Sequence, residues 1–182
     1  MRPWIGFALF VVGVGCAVPL ISSAQQTDGV SPKRADKVVL TDAEWKKKLT
    51  PAQYKILRTN GTEAAFCGRF HDSKKTGVYS CAGCNLPLFA SNAKFDSGTG
   101  WPSFFQPVVK GNTWKKADRS FGMVREEVNC SRCDGHLGHV FNDGPSDKGG
   151  LRFCINSDGL TFKEFKGAKL TAEIKRLQSG KS

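Results

Sequence analysis

The sequence predicts a mainly β domain led by two short helices, and three observations carry that expectation. Short apolar runs, VYSC, LPLFA, SFFQPVV, FGMVREEV, LRFCI and LTFKEF, follow one another from Val78 onward, separated by Gly, Pro, Asn and Asp. Twenty glycines stand against two methionines and two tyrosines, a balance that suits a turn-rich chain better than a helical bundle. At 182 residues, 40% hydrophobic and 24% charged, the chain has the make-up of one soluble globular domain, which excludes wholesale disorder and a polytopic membrane protein.

Met1 and Arg2 precede an uncharged run from Pro3 to Ile21, and Ser22-Ser23-Ala24 supplies the small residues of a cleavage site. Residues 1–24 therefore read as a secretory signal peptide or, since residues 3–21 are almost long enough to span a bilayer, as an uncleaved membrane anchor. Either reading exports the rest of the chain to a periplasmic or other extracytoplasmic space. Cys16 does not suit lipidation, because Gly13 stands where a branched apolar residue is wanted. Residues 25–40 are polar, lack apolar periodicity and are expected to form a flexible linker.

Thr41-Asp42-Ala43-Glu44 has capping-box spacing and opens a helix over 42–49. Thr50-Pro51-Ala52-Gln53 repeats the signal with proline at the first helical position; Ile56 and Leu57 give an apolar face, and Asn60-Gly61 closes the helix. Strands follow, their alternation clearest in RFCINS and LTFKEF. The domain is expected to run from 41 to 168. Residues 169–182 form a basic tail with a turn of helix over Thr171 to Leu177 and frayed ends at Ser179 to Ser182.

The net charge is +11, or +10 once Arg2 leaves with a cleaved leader. Lys33, Arg34, Lys46 to Lys48, Lys115, Lys116 and the C-terminal lysines are scattered without interleaved aromatics, which describes a solvated basic surface. No nucleic-acid partner is expected. A zinc-stabilised basic binding module without catalysis is the rival class to an enzyme.

Cys81-Ala82-Gly83-Cys84 and Cys130-Ser131-Arg132-Cys133 are two CxxC turns with 45 residues between them. Four thiolates at about 2.3 Å complete a tetrahedral zinc shell and mark a structural metal. Gly83 and Gly135 are expected to permit the tight backbone around the sulfurs. Two disulfides or a redox pair compete with this reading in an exported chain.

Two more cysteines remain in the mature chain, Cys67 and Cys154. In Arg152-Phe153-Cys154-Ile155-Asn156, alternation puts Arg152, Cys154 and Asn156 on one polar, cationic face, where a guanidinium favours the thiolate. An inert buried thiol is the competing reading. His136 and His139 lie in a glycine-rich loop, DGHLGHVFNDGP, directly after the second CxxC turn, so the metal would fix where both imidazoles point. His71 is taken as a surface residue.

With GTEAAFCGRF (61–70), the paired CxxC turns, FDSGTGWPSF (95–104), DGHLGHVFNDGP (134–145) and RFCIN (152–156) occurring in order, the chain resembles the methionine-R-sulfoxide reductase B family over Leu40 to Phe165. The resemblance implies a β-tent-like fold of two antiparallel sheets with short N-terminal helices and a zinc remote from the chemistry. It implies a protein-repair oxidoreductase acting on the R epimer of methionine sulfoxide, free or in oxidised proteins. Cys154 thiolate would attack the sulfoxide sulfur; His136 and His139 would hold or protonate the oxygen; Arg152 and Asn156 would tune the thiolate and position the polar end of the transition state. Trp101 and Phe141 would form the slot for the terminal methyl group. Thr99 occupies the position of the recycling cysteine of one branch, and Cys67 matches the alternative recycling position. A Cys67–Cys154 disulfide, reduced by a thioredoxin-like donor, would follow the Cys154 sulfenic acid. A monomer is expected.

Overall fold

In the computed structural model, residue 1 and residues 29–180 are described, so the leader expected over 1–24 and Cys16 lie outside the described residues. Two capping boxes open the helical part. The Thr41 hydroxyl accepts the Glu44 N–H while the Glu44 carboxylate takes the Thr41 N–H at 2.7 Å, starting α1 (Asp42–Lys48). Thr50 and Gln53 repeat the exchange at 3.1 and 3.2 Å ahead of α2 (Pro51–Thr59), with Pro51 at the first turn. Asn60 takes the left-handed conformation that stops α2.

Among the described residues, nine strands form two wholly antiparallel sheets. The smaller one orders β2-β1-β9, from β1 (Gly77–Cys81), β2 (Pro87–Ala90) and β9 (Leu160–Glu164). The larger runs β3-β4-β8-β7-β6-β5 and comprises β3 (Lys94–Phe95), β4 (Ser103–Phe104), β5 (Thr113–Asp118), β6 (Arg125–Cys130), β7 (His136–Phe141) and β8 (Arg152–Ile155). The core lies between the sheets. Phe89 stacks on Phe104 at 4.5 Å, and Tyr79 meets Phe104 and Phe162 at 5.1 and 4.8 Å. Trp45 and Leu57 close one end of this core from α1 and α2.

Three expectations change. The segment 134–145 is not a loop, because its first half is β7, a buried strand between β6 and β8. The linker expected over 25–40 is no free tether from residue 29 onward. Lys37 reaches Asp134 at 2.8 Å, Val38 N–H donates to the Arg132 carbonyl and Gly29 N–H to Lys115. The tail helix, α3, is longer than the turn expected, Ala168–Gln178, and is anchored by buried Leu170 and by Gln178 donating to the Val108 carbonyl.

Gly138 leaves no room for a side chain between β7 and β8: a Cβ there would stand 2.1 Å from the Cys154 carbonyl oxygen. Gly138→Ala is expected to cost about 3 kcal/mol of stability by forcing the strands apart, read as a lower urea midpoint. An unchanged midpoint would show that the sheet yields at this point.

Candidate active site and four-cysteine cluster

Cys154 sits mid-sheet on β8, with Ser103 of β4 and His139 of β7 as its direct ladder partners. Alternation puts Arg152 on the same face, and Phe141 pairs with Arg152 as His139 pairs with Cys154. Glu127 stands opposite His139, and two residues away Arg125 stands opposite Asp118, which extends the face across β6 and β5. One sheet face therefore gathers the nucleophile candidate, imidazoles, guanidinium and carboxylates.

Histidines three apart on a regular strand would point to opposite faces. They do not here, because the ladder slips: Val128 faces Gly138 but Asn129 faces His136, leaving Leu137 as an extra residue in β7. The bulge turns Leu137 into the core and brings the His136 and His139 rings to 5.5 Å.

Each cation or imidazole of this face is backed by a carboxylate, and the sequence reading named none of them. His136 donates Nδ1–H to Glu127 at 2.9 Å, so its Nε2, buried, is left without a protein partner. His139 donates Nε2–H to Asp118 at 2.8 Å, and Arg125 shares that carboxylate at 2.6 Å. Arg152 forks onto both oxygens of Asp143 at 2.8 Å while lying 4.5 Å over the Phe141 ring. Burial raises the Glu127 carboxyl, but His136 and Lys116 outweigh it and hold the group below its ordinary value. Burial lowers His139 below the usual histidine value against the pull of Asp118, so the ring is neutral at neutral pH.

Trp101 lies on the opposite flank of Cys154 from Phe141, two residues before Ser103, and its indole N–H donates to the Glu63 carbonyl at 3.2 Å. Glu63 anchors the loop that carries Cys67: its carboxylate takes the Ser157 and Asp158 N–H groups at 2.7 and 3.0 Å. Asn156 differs from expectation. It lies just past β8, and its amide donates to the Leu137 carbonyl at 3.0 Å and accepts the Glu63 N–H at 3.0 Å. It braces the bulge and the Cys67 loop; both ends of the side chain are engaged with main chain. His71 is half-buried rather than a free surface residue, with Nδ1 at 2.9 Å from the Gly68 carbonyl and its ring edge against Phe66.

Cys67 is exposed and Cys154 half-buried, both free thiols. The Thr99 hydroxyl reaches Cys154, 4.0 Å from Sγ. Its neighbour Gly100 accepts the Phe66 N–H at 2.9 Å, so the Cys67 loop docks beside the Thr99 segment.

The four sulfurs of Cys81, Cys84, Cys130 and Cys133 lie within 4.8 Å of one another. The short separations, 3.6 Å for Cys81–Cys133 and 3.4 Å for Cys84–Cys130, run between the CxxC turns and not within them. A tetrahedron of Zn–S bonds about 2.3 Å long needs sulfurs about 3.8 Å apart, so this donor set fits zinc. The two turns are copies: each first cysteine accepts the N–H of the residue after the second, and those residues, Asn85 and Asp134, are left-handed. Gly83 and Gly135 do not supply that conformation, contrary to expectation. Gly135 clears space, since a Cβ there would stand 3.0 Å from Leu57 and 3.4 Å from the Cys133 sulfur.

Residues 49–164 match the family model described as the SelR domain. A peptide methionine sulfoxide reductase MsrB of Herminiimonas arsenicoxydans is 54% identical over 127 residues, 70% of this chain and 92% of that protein. Its namesake in Leptospira interrogans is 55% identical over 124 residues, covering 68% and 94%. The chain belongs to the methionine-R-sulfoxide reductase B family. A further relative of that name, from Agrobacterium fabrum, is 49% identical over 134 residues, 74% of this chain and 98% of its own length.

One expectation about this reductase's Cys154 reverses. Burial pushes its thiol up, and the Arg152 charge and the Thr99 hydroxyl, which pull it down, do not compensate. The resting group is a thiol. Alkylation of Cys154 in a Cys67→Ser background is therefore expected to keep accelerating above pH 9, and Arg152→Met to slow it at fixed pH. A plateau below pH 8, followed by mass spectrometry of the Cys154 peptide, would contradict this.

Proposed function

We propose that the chain reduces the R epimer of methionine sulfoxide, in oxidised proteins or free, with Cys154 as nucleophile. By family it is a peptide methionine sulfoxide reductase, an oxidoreductase. The observation that carries the finer reading is the β7 bulge, which sets two imidazoles on the face of Cys154 with His139 directly opposite it.

The chemistry balances on the groups present. Cys154 sulfur gives two electrons to the sulfoxide sulfur; the S–O bond to methionine breaks, and oxygen leaves with a proton to become the hydroxyl of a Cys154 sulfenic acid. A resting thiol suits this step, since the proton it loses is the one the oxygen needs. With Nδ1 committed to Glu127, Nε2 of His136 is the ring nitrogen left to carry that proton. His139, its Nε2–H held by Asp118, offers Nδ1 as an acceptor for the hydroxyl once the oxygen carries its proton. Arg152 offsets the charge that develops on Cys154, and Asn156 acts through the backbone it braces. Trp101 and Phe141 bound the methyl slot from the two flanks of Cys154. Cys67 then attacks the sulfenic acid, water leaves, and a thioredoxin-like dithiol reduces the disulfide.

Zinc is the proposed occupant of the cysteine cluster. Cysteine fills every tetrahedral position, so the ion ties strands together and offers no place to substrate. Export remains part of the proposal, resting on residues 1–24.

Turnover with dithiothreitol is expected to consume the R epimer and spare the S epimer, and Cys154→Ser to abolish it. Cys67→Ser should complete one round yet fail to cycle with thioredoxin. Equal use of both epimers, or normal cycling without Cys67, would refute the respective assignment. Metal analysis is expected to find one zinc per chain, retained in Cys154→Ser and lost in Cys81→Ser together with cooperative unfolding. A metal-free, fully stable Cys81→Ser protein would exclude the structural role.

A further inference from the structure

The hairpin joining β5 to β6 ends in Arg119-Ser120-Phe121-Gly122-Met123-Val124, with its apolar side chains turned outward. Phe121 is 90% exposed, Val124 75% and Met123 44%. Single exposed apolar residues are ordinary, whereas contiguous ones mark contact surfaces. Phe121 also holds left-handed backbone, φ 54 and ψ 29, a costly conformation for an aromatic residue, and its ring is not buried in return.

The base of this hairpin belongs to the site already described. Asp118 accepts His139 Nε2–H through Oδ2 and the Ser120 N–H, at 2.9 Å, through Oδ1, so one carboxylate fixes both the imidazole and the start of the tip. Arg125 closes the other side, bonding Asp118 at 2.6 Å and the Ser120 hydroxyl at 3.3 Å. Asp118 and Arg125 share the sheet face of Cys154, His139, Phe141 and Arg152. The tip continues that face past its edge.

We propose that Phe121, Met123 and Val124 form a docking surface for the polypeptide flanking an oxidised methionine in an unfolded protein. The proposal rests on the reading of the Cys154 face as the sulfoxide site. Distance selects the occupant: from β8 to β5 is three strand spacings, about 14 Å, and the tip lies beyond the end of β5, a reach that a free methionine sulfoxide lacks and about six residues of extended chain supply. Chemistry selects its character. An apolar tip gains from burying apolar neighbours of the sulfoxide, the residues that become accessible when a damaged protein unfolds.

The test compares three R-sulfoxide substrates: the free amino acid, a thirteen-residue peptide with Val and Leu flanking the central residue, and the same peptide with Ser in their place. The wild-type chain should prefer the apolar peptide. In a Phe121→Ser/Val124→Ser variant the ratio of kcat/KM for the apolar peptide to that for the free amino acid should fall about tenfold, through KM. An unchanged ratio overturns the proposal, including the case in which all three substrates decline together because the tip only supports Asp118 and His139. Absence of turnover with any substrate in the wild-type chain would strike the reductase reading, and the docking proposal with it.

Discussion

The structure depends on the four-sulfur junction between its sheets. One pair of sulfurs comes from the end of β1 in the small sheet, the other from the turn between β6 and β7 in the large one, and the short separations run from one pair to the other. A metal bridging them would set the relative position of both sheets. It would also set where β7 begins, because His136 lies three residues beyond Cys133. Other parts converge on this point. Arg58 donates to the Cys133 carbonyl at 2.9 Å and lies 4.9 Å over Trp45, while Ser31, Lys37 and Trp114 all meet Asp134, the left-handed residue that ends the second turn.

On the sheet face that starts there, burial competes with charge. Guanidinium and imidazole near a thiol would favour its ionised form in water-like surroundings, and that was the expectation for Cys154. In the folded chain, Arg152 shares its charge with Asp143 through a two-pronged bond, so its pull on Cys154 is diluted and desolvation prevails. The same trade recurs at His139, where burial prevails over Asp118. A face built of pairs stores no free ion. Such pairing suits the proposed reaction, whose proton inventory closes on itself.

Local signals were legible in the sequence and long-range ones were not. Both capping boxes, the Asn60 stop and the paired CxxC turns involve residues a few positions apart, and the structure realises each of them. β5 is not legible because TWKKAD, an edge strand, is mostly polar and shows no alternation of apolar residues, and β7 because HLGHVF carries a bulge that breaks the period of two. No sequence rule pairs Glu127 with His136, Asp118 with His139 or Glu63 with Ser157; those contacts are created by strand register. Residues 29–38 looked like a tether for the same reason. Their hold on the domain is made of charges and main-chain bonds, not of apolar periodicity.

The position of Cys67 follows from how its loop is fastened. Glu63 is tied at its N–H, its carbonyl and both carboxylate oxygens, which fixes the start of the loop. The Phe66 main chain bonds Gly100 through its N–H, and a Cβ on Gly100 would stand 2.6 Å from that nitrogen, so glycine is what permits the approach. Beyond it Cys67 is exposed. Thr99, next to Gly100, touches Cys154, so the contacts run from Cys154 through Thr99 and Gly100 to Phe66 and Cys67. The proposed disulfide between the two cysteines therefore asks for motion of the exposed stretch around Cys67, while the Glu63 carbonyl keeps its hold on the Trp101 indole.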